Sequence, residues 1–217
     1  MKEFGYDKQY DVIVAGGGVS GTVAAIAAGR LGADVLILEE GAYLGGALTG
    51  CGVGPMMTFH AGEKQVIRGI MEEIVERLKT DGYSTGHIYD TMQYISYLTP
   101  FNSEGLKVVL DEMTAEAGCT VLFHTFIGAA VCGEGKIESL TVCNKDGIHS
   151  VSARVYIDGT GDGDVAAFAG GAHDKGKRIR RRCPAHDYEH EVFECGHGSD
   201  QGAYQNAYRR FLPPSGE

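Results

Sequence analysis

Tyr10–Glu39 reads YDVIVAGGGVSGTVAAIAAGRLGADVLILE, and the order of residue types in it decides the fold. Tyr10–Ala15 is a short apolar run rich in β-branched residues that ends in glycines, the pattern of a strand buried on both faces of a parallel sheet. Gly16–Gly21 follows as a glycine-rich turn, and TVAAIAAGRLG continues as a helix closed by Gly32-Ala33. Asp34–Leu38 is a second buried strand that stops at Glu39. Strand, turn, helix and strand in that order predict a right-handed crossover between neighbouring parallel strands.

Gly16, Gly18 and Gly21 form G-x-G-x-x-G inside this unit. The first glycine permits a tight turn, the second lets backbone approach a pyrophosphate, and the third lets helix and strand pack closely. The helix start, Val19–Thr22, then offers unpaired N–H groups and a positive dipole end to phosphates. Glu39 stands about 20 residues on, at the end of the second strand, where a carboxylate hydrogen-bonds ribose hydroxyls. The unit is therefore expected to hold a dinucleotide.

Composition limits the remaining classes. A chain of 217 residues, 43% hydrophobic and 22% charged, suits a globular protein with a real core. A net charge of −10 argues against nucleic acid as a partner. No stretch approaches the ~20 apolar residues of a membrane span, and the strand that begins at Tyr10 leaves no room for a signal peptide. Six cysteines without a regular framework read as reduced thiols, and a cytoplasmic location is expected.

Further along, the apolar spacing of Val66, Ile67, Ile70, Ile74 and Leu78 predicts an amphipathic helix over Glu63–Lys79. Ser103–Ala117 reads as another helix, with Ser103 as its N-cap. Cys119–Phe123 is strand-like. Three more strand patterns follow, turned at Glu134-Gly135 and Asp146-Gly147, and Val155–Ile157 returns to the sheet. Strands at 10–15, 34–38, 119–124 and 154–158 are expected side by side, with the meander on one face.

A second glycine pair, Gly45-Gly46, follows the acid, and here the chain resembles FAD-dependent oxidoreductases with the glutathione-reductase type of fold. Gly159-Thr160-Gly161 stands where such flavoproteins carry an Ala-Thr-Gly-like motif, departing only at the alanine. FHAGEKQVIRGI, GHIYD, TPFNSEGLK and IDGTGDGDVAAFAGG are similar to relatives of the flavin subunit of heterodisulfide reductase, over roughly residues 8–176. The resemblance implies an α/β, doubly wound, Rossmann-like domain over 1–176. Its sheet is mostly parallel, with an antiparallel β-meander and a helical insert at about 60–102.

The resemblance also implies FAD as cofactor, an unidentified small-molecule substrate for electron or hydride transfer, and a redox partner protein. Iron–sulfur clusters occur at family level, but this chain has no C-x2-C-x2-C run to hold one. The cofactor contacts implied are Gly16, Gly18, Val19, Ser20, Gly21, Glu39, Glu40, Gly45, Gly46, Ile127, Thr160, Gly161 and Asp162, converging on one crevice. No residue is assigned a catalytic role. Cys51 is read as a small buried thiol, with flavin contact as its functional alternative. His60 is read as a helix-entry residue. Cys119, Cys132 and Cys143 are read as core, and Tyr83, Tyr89, Tyr94 and Tyr97 as a substrate entrance or a docking surface. Two alternatives stand beside the oxidoreductase: an inactive truncated remnant that at most binds FAD, and a sulfur-handling flavoprotein like the thiazole synthases.

The stretch from Lys177 differs from everything before it. Cys183, His186, His190, Cys195 and His197 have the types of zinc ligands, but their spacing matches no common structural zinc pattern. With codons chosen for Ile179–Glu194 and read from the second base, the stretch becomes SDGAVQPMTMSMKFS, and the resembled family continues with a segment like DGxxQPMT. Residues 177–217 are therefore expected to be a frameshifted, aberrant tail with no metal and no fold of its own.

Overall fold

The computed structural model describes residues 4–92 and 95–172. The expectations for the tail after Lys177, and for Tyr94, lie outside those residues. β1 (Gln9–Ala15), α1 (Val19–Arg30) and β2 (Val35–Leu38) form the expected opening unit. After it come α2 (Ala47–Gly50), a ribbon of β3 (His60–Ala61) and β4 (Lys64–Gln65), and α3 (Ile70–Thr80). A second ribbon, β5 (Ile88–Tyr89) with β6 (Tyr97–Leu98), leads to α4 (Ser103–Glu116). The chain continues through β7 (Thr120–Leu122), β8 (Phe126–Gly133), β9 (Lys136–Asn144), β10 (Gly147–Asp158) and α5 (Asp164–Phe168).

The main sheet has six strands in the order β7-β2-β1-β10-β9-β8. β1 pairs in parallel with β2 from Val12↔Val35 to Ala15↔Leu38, and with β10 from Gln9↔Ser152 to Ala15↔Asp158. β7 adds in parallel outside β2. Taken in chain order, the parallel part reads third, second, first, fourth, the order in which a cofactor crevice opens where the winding reverses beside β1. All four β2 residues are buried, as a strand covered on both faces requires.

The two faces are covered differently. On one, α1, α3 and α4 pack Ile26, Ile74, Leu78, Leu106, Val109 and Met113 against Val14, Val35 and Ile37. On the other, Leu140 and Val142 of β9 and Val151 of β10 pack with Ile13, Leu36 and Leu38. The second layer of the α/β fold is thus the meander rather than a second set of helices. β10 makes this possible because the last meander strand and the expected return strand are one element. Its first half, Gly147–Val151, runs antiparallel to β9, and its second half runs parallel to β1.

Four local expectations are corrected. The helix expected from Glu63 begins at Ile70, and its N-cap is Gly69 at φ 74°. The residues before it form the β3–β4 ribbon, so Val66 and Ile67 donate their N–H groups to Phe59 O and stay exposed. His60 accordingly lies on that ribbon and not at a helix start. Asn102, not Ser103, caps α4, its side-chain oxygen accepting from Glu104 N at 2.9 Å and Gly105 N at 3.0 Å. Cys51, Cys132 and Cys143 are exposed rather than buried. Cys143 sits opposite Phe126 and Ile148 on the outer face of the meander, and both of those are exposed as well. Cys119 is half-buried, its thiol donating to Ala25 O at 3.3 Å.

The helical layer is tied by charge. Glu73 of α3 takes both Arg30 nitrogens, at 2.6 and 2.7 Å, and one from Arg77 at 3.0 Å, while Arg77 also grips Glu116 of α4. The hydrogen bond from Arg30, reinforced by Arg77, holds the Glu73 carboxyl below the usual carboxylate range against the opposing effect of burial. Its stabilising effect is therefore complete above that range and is lost as pH falls through the depressed value. All these groups are partly solvated, so Glu73→Gln should cost only about 1 kcal/mol, and less in molar salt. Urea unfolding at low and high salt measures it; a loss unchanged by salt would contradict an electrostatic tie.

Candidate cofactor site

The carboxyl ends of β1 and β10 meet in backbone-to-backbone contact. Gly159 N–H donates to Ala15 O at 2.7 Å, which seats the loop after β10 on the loop after β1. At Gly16, with φ 92°, an added Cβ would lie 2.4 Å from Gly159 O and 3.0 Å from Thr160 Cα. At Gly21 it would lie 2.0 Å from Gly16 O. These two motif glycines are therefore demanded by the protein's own packing.

Gly18 is different. Its φ of −61° and ψ of 179° suit any residue. The nearest protein atom to an added Cβ is Gly159 O at 3.9 Å. Among the described residues nothing requires a glycine there, and the bare backbone leaves an open cradle at the N-terminus of α1. That helix has no side-chain cap and no acid in its first turn, so its leading N–H groups and dipole end are available to an anion. Val19 and Ser20 supply the first of those groups.

Glu39 closes the neighbouring side. Its two carboxylate oxygens accept separate backbone bonds, from Gly17 N at 2.7 Å and Gly41 N at 2.6 Å. Each oxygen keeps a lone pair for a further donor, and both are fixed in place beforehand. The second glycine pair lies directly against the first loop. Gly45 N–H donates to Gly17 O at 2.8 Å, and an added Cβ on Gly46 would lie 3.0 Å from Gly18 Cα. Thr49, buried in α2, donates its hydroxyl to Leu44 O at 2.7 Å and holds the turn closed.

The Gly159–Gly161 loop presents backbone only. The Thr160 hydroxyl donates to Asp158 at 2.7 Å and accepts from Asp164 N at 2.9 Å. Asp158 also accepts from Thr160 N and Ala166 N. Burial alone would raise the Asp158 carboxyl, but the Thr160 hydroxyl and these N–H groups outweigh it and hold the group below the usual carboxylate range.

Gly16, Gly18, Val19, Gly21, Glu39, Gly45, Gly46 and Thr160 are thus joined by direct contacts, with Gly161 next in the chain. Ile127 lies on β8 opposite Val142 and packs against the core beneath the meander, and nothing among the described residues joins it to the crevice. Glu40, Ser20 and Asp162 are exposed at the margins. One participant, Gly17, escaped sequence reasoning, while Gly159 was read there as part of the Gly159-Thr160-Gly161 motif. Gly17 is a glycine because a Cβ there would meet Leu44 Cδ2 at 2.5 Å and Glu39 Oε2 at 2.9 Å, and Gly159 is packed among Gly21, Ala15 and Gly16. The middle glycine of GGG was the available signal for Gly17.

The insert holds a separate polar cluster. His60 stacks on Tyr97 with ring centroids 4.3 Å apart, and His87 bridges Thr99 at 2.7 Å and Glu72 at 3.0 Å. Burial, followed by the nearby His87, pushes the His60 imidazole down. Tyr83 and Tyr89 are exposed. Among the described residues no three His, Cys, Asp or Glu side chains are grouped to hold a metal, and no helix is long and apolar enough to cross a membrane.

The model of a family described as FAD dependent oxidoreductase matches residues 11–213. Digeranylgeranylglycerophospholipid reductase 1 of Methanopyrus kandleri is 28% identical over 165 residues, 70% of this chain and 40% of that protein. A thiamine thiazole synthase of Methanococcus aeolicus is 27% identical over 168 residues, 73% of this chain and 57% of the relative. Among solved structures, a geranylgeranyl bacteriochlorophyll reductase-like protein from Thermoplasma acidophilum shares the fold. Its TM-score is 0.54 at 20% identity, over 75% of this chain and 42% of that one. The chain therefore spans less than half the length of the first reductase it matches.

Proposed function

The chain belongs to the FAD-dependent oxidoreductase family, and from that premise we propose that the glycine crevice holds FAD for electron or hydride transfer with a small-molecule substrate. The observation that carries the proposal is the bare cradle at Gly18, ringed by Gly16, Gly46 and Gly159 and faced by the start of α1. The N–H groups of Gly18 and Val19 would bind the pyrophosphate, and the oriented Glu39 carboxylate would accept from the ribose hydroxyls. When bound, FAD supplies the redox chemistry, and the chain's own part is to bind and orient it. A partner protein that exchanges electrons with the flavin completes the reading.

Purification of the chain should give a yellow protein whose absorbance bleaches under dithionite and recovers in air. The nucleotide released by heat should be FAD. A folded but colourless protein that takes up no added FAD would overturn the proposal and favour the inactive remnant. Similarity to a thiazole synthase supports one further reading, sulfur handling, in which the exposed Cys51 is the reactive group. Loss of a sulfur-containing adduct in Cys51→Ser, with FAD retained, would distinguish it.

Replacing Glu39 by alanine removes the ribose acceptor and also leaves Gly17 N–H and Gly41 N–H without their partner. FAD affinity should fall by on the order of tenfold to a hundredfold, the scale of one or two hydrogen bonds to a charged group. Fluorescence titration reads it, and unchanged affinity would remove Glu39 from the site.

A further inference from the structure

The peptide joining Gly17 to Gly18 is held by a side chain of α1 and by the second glycine loop. Its carbonyl, Gly17 O, accepts the Thr22 hydroxyl at 2.8 Å and the Gly45 N–H at 2.8 Å. Thr22 is fully buried in α1, a position where an apolar residue would otherwise be expected. The peptide is trans, so its N–H points opposite to its C=O. With the carbonyl drawn inward by Thr22 and Gly45, the Gly18 N–H is turned outward, beside the open cradle. Among the described residues that N–H donates to no protein group.

We propose that Thr22 is a positioning residue for the cofactor, its hydroxyl pinning the Gly17 carbonyl so that the Gly18 N–H is presented to the pyrophosphate. The proposal rests on the FAD reading of the crevice. A second tie from Gly45 couples the same peptide to the loop after β2, so both glycine loops depend on one carbonyl. Without the hydroxyl the peptide keeps one restraint and gains freedom to rotate, and a donor aimed beforehand becomes one that binding must order.

The test compares Thr22→Val, which keeps the shape and loses the donor, with Thr22→Ser, which keeps the donor. FAD affinity, and the 31P shifts of bound FAD, are measured on the full chain beside the wild type. Thr22→Val should bind FAD about tenfold more weakly, the scale of one hydrogen bond to a charged group, and shift the pyrophosphate resonances. Thr22→Ser should restore both. Should the valine variant not fold, Thr22→Cys, a weak donor of similar size, is read in the same way. Wild-type affinity and unchanged 31P shifts in the donor-deficient variant would overturn the proposal alone. A folded wild type that binds no FAD would overturn the FAD reading, and this proposal with it.

Discussion

Replacing Gly18 by leucine should leave the protein folded and strip it of FAD. The backbone there is in a region open to every residue, and the nearest protein atom to a new Cβ is 3.9 Å away. Leucine is a poorer helix N-cap than glycine, which costs about 1 kcal/mol at most. The side chain must then occupy the cradle in which a pyrophosphate would touch backbone. Affinity for FAD should fall by about a hundredfold or more, on the order of 3 kcal/mol. Circular dichroism on melting, paired with equilibrium dialysis against FAD, separates the two effects. Full flavin retention would mean that the cofactor does not lie on Gly18.

Gly21→Ala should do the reverse and attack the fold first. Its Cβ would lie 2.0 Å from Gly16 O, with Val14 Cγ1 at 3.2 Å on the far side. Backbone cannot yield as a flexible side chain would, because Gly16 N–H is itself held by Leu38 O at 2.8 Å. Overpacking of this kind costs about 1–3 kcal/mol and sometimes more, and with backbone on the receiving side the upper end is expected. The urea midpoint of the apoprotein should drop accordingly, and FAD should be lost as a consequence. A midpoint equal to wild type would show that α1 stands farther from β1 than this packing requires.

The contrast between these two glycines was legible in the motif, which gives Gly16 and Gly21 to turn and packing and Gly18 to close approach of a ligand. The coordinates add the distances that make the first two indispensable to the fold and leave Gly18 open. The β1–α1–β2 unit was legible because buried parallel strands are continuous apolar runs and the turn between strand and helix is spelled in glycine. The meander was legible from its turns; Glu134 and Gly135 both have positive φ, at 49° and 76°, as a tight hairpin demands. The fusion of the last meander strand with the return strand also had a local signal, since IHSVSARVYI runs from Ile148 to Ile157 without a Gly, Pro, Asn or Asp.

Other misses share one cause, the choice among several available partners. Val66 and Ile67 have helical spacing, but Gly62 at φ 61° and Gly69 at φ 74° favour a ribbon ahead of the helix. Cys132 and Cys143 alternate as core residues would, but the sequence pattern does not say which face of the meander meets the sheet. The Gly17 carbonyl, where Thr22 and Gly45 converge, is backbone and has no residue type by which to be found.

Backbone hydrogen exchange, followed by mass spectrometry with and without FAD, reads out directly where the cofactor sits. FAD should slow exchange in peptides covering Gly16–Thr22, Gly45–Ala47 and Gly159–Gly161. The outer meander strand, Phe126–Gly133, should be unchanged beyond its first residues. Protection confined to other segments, or none at saturating FAD, would contradict a cofactor seated between the two glycine loops and the start of α1.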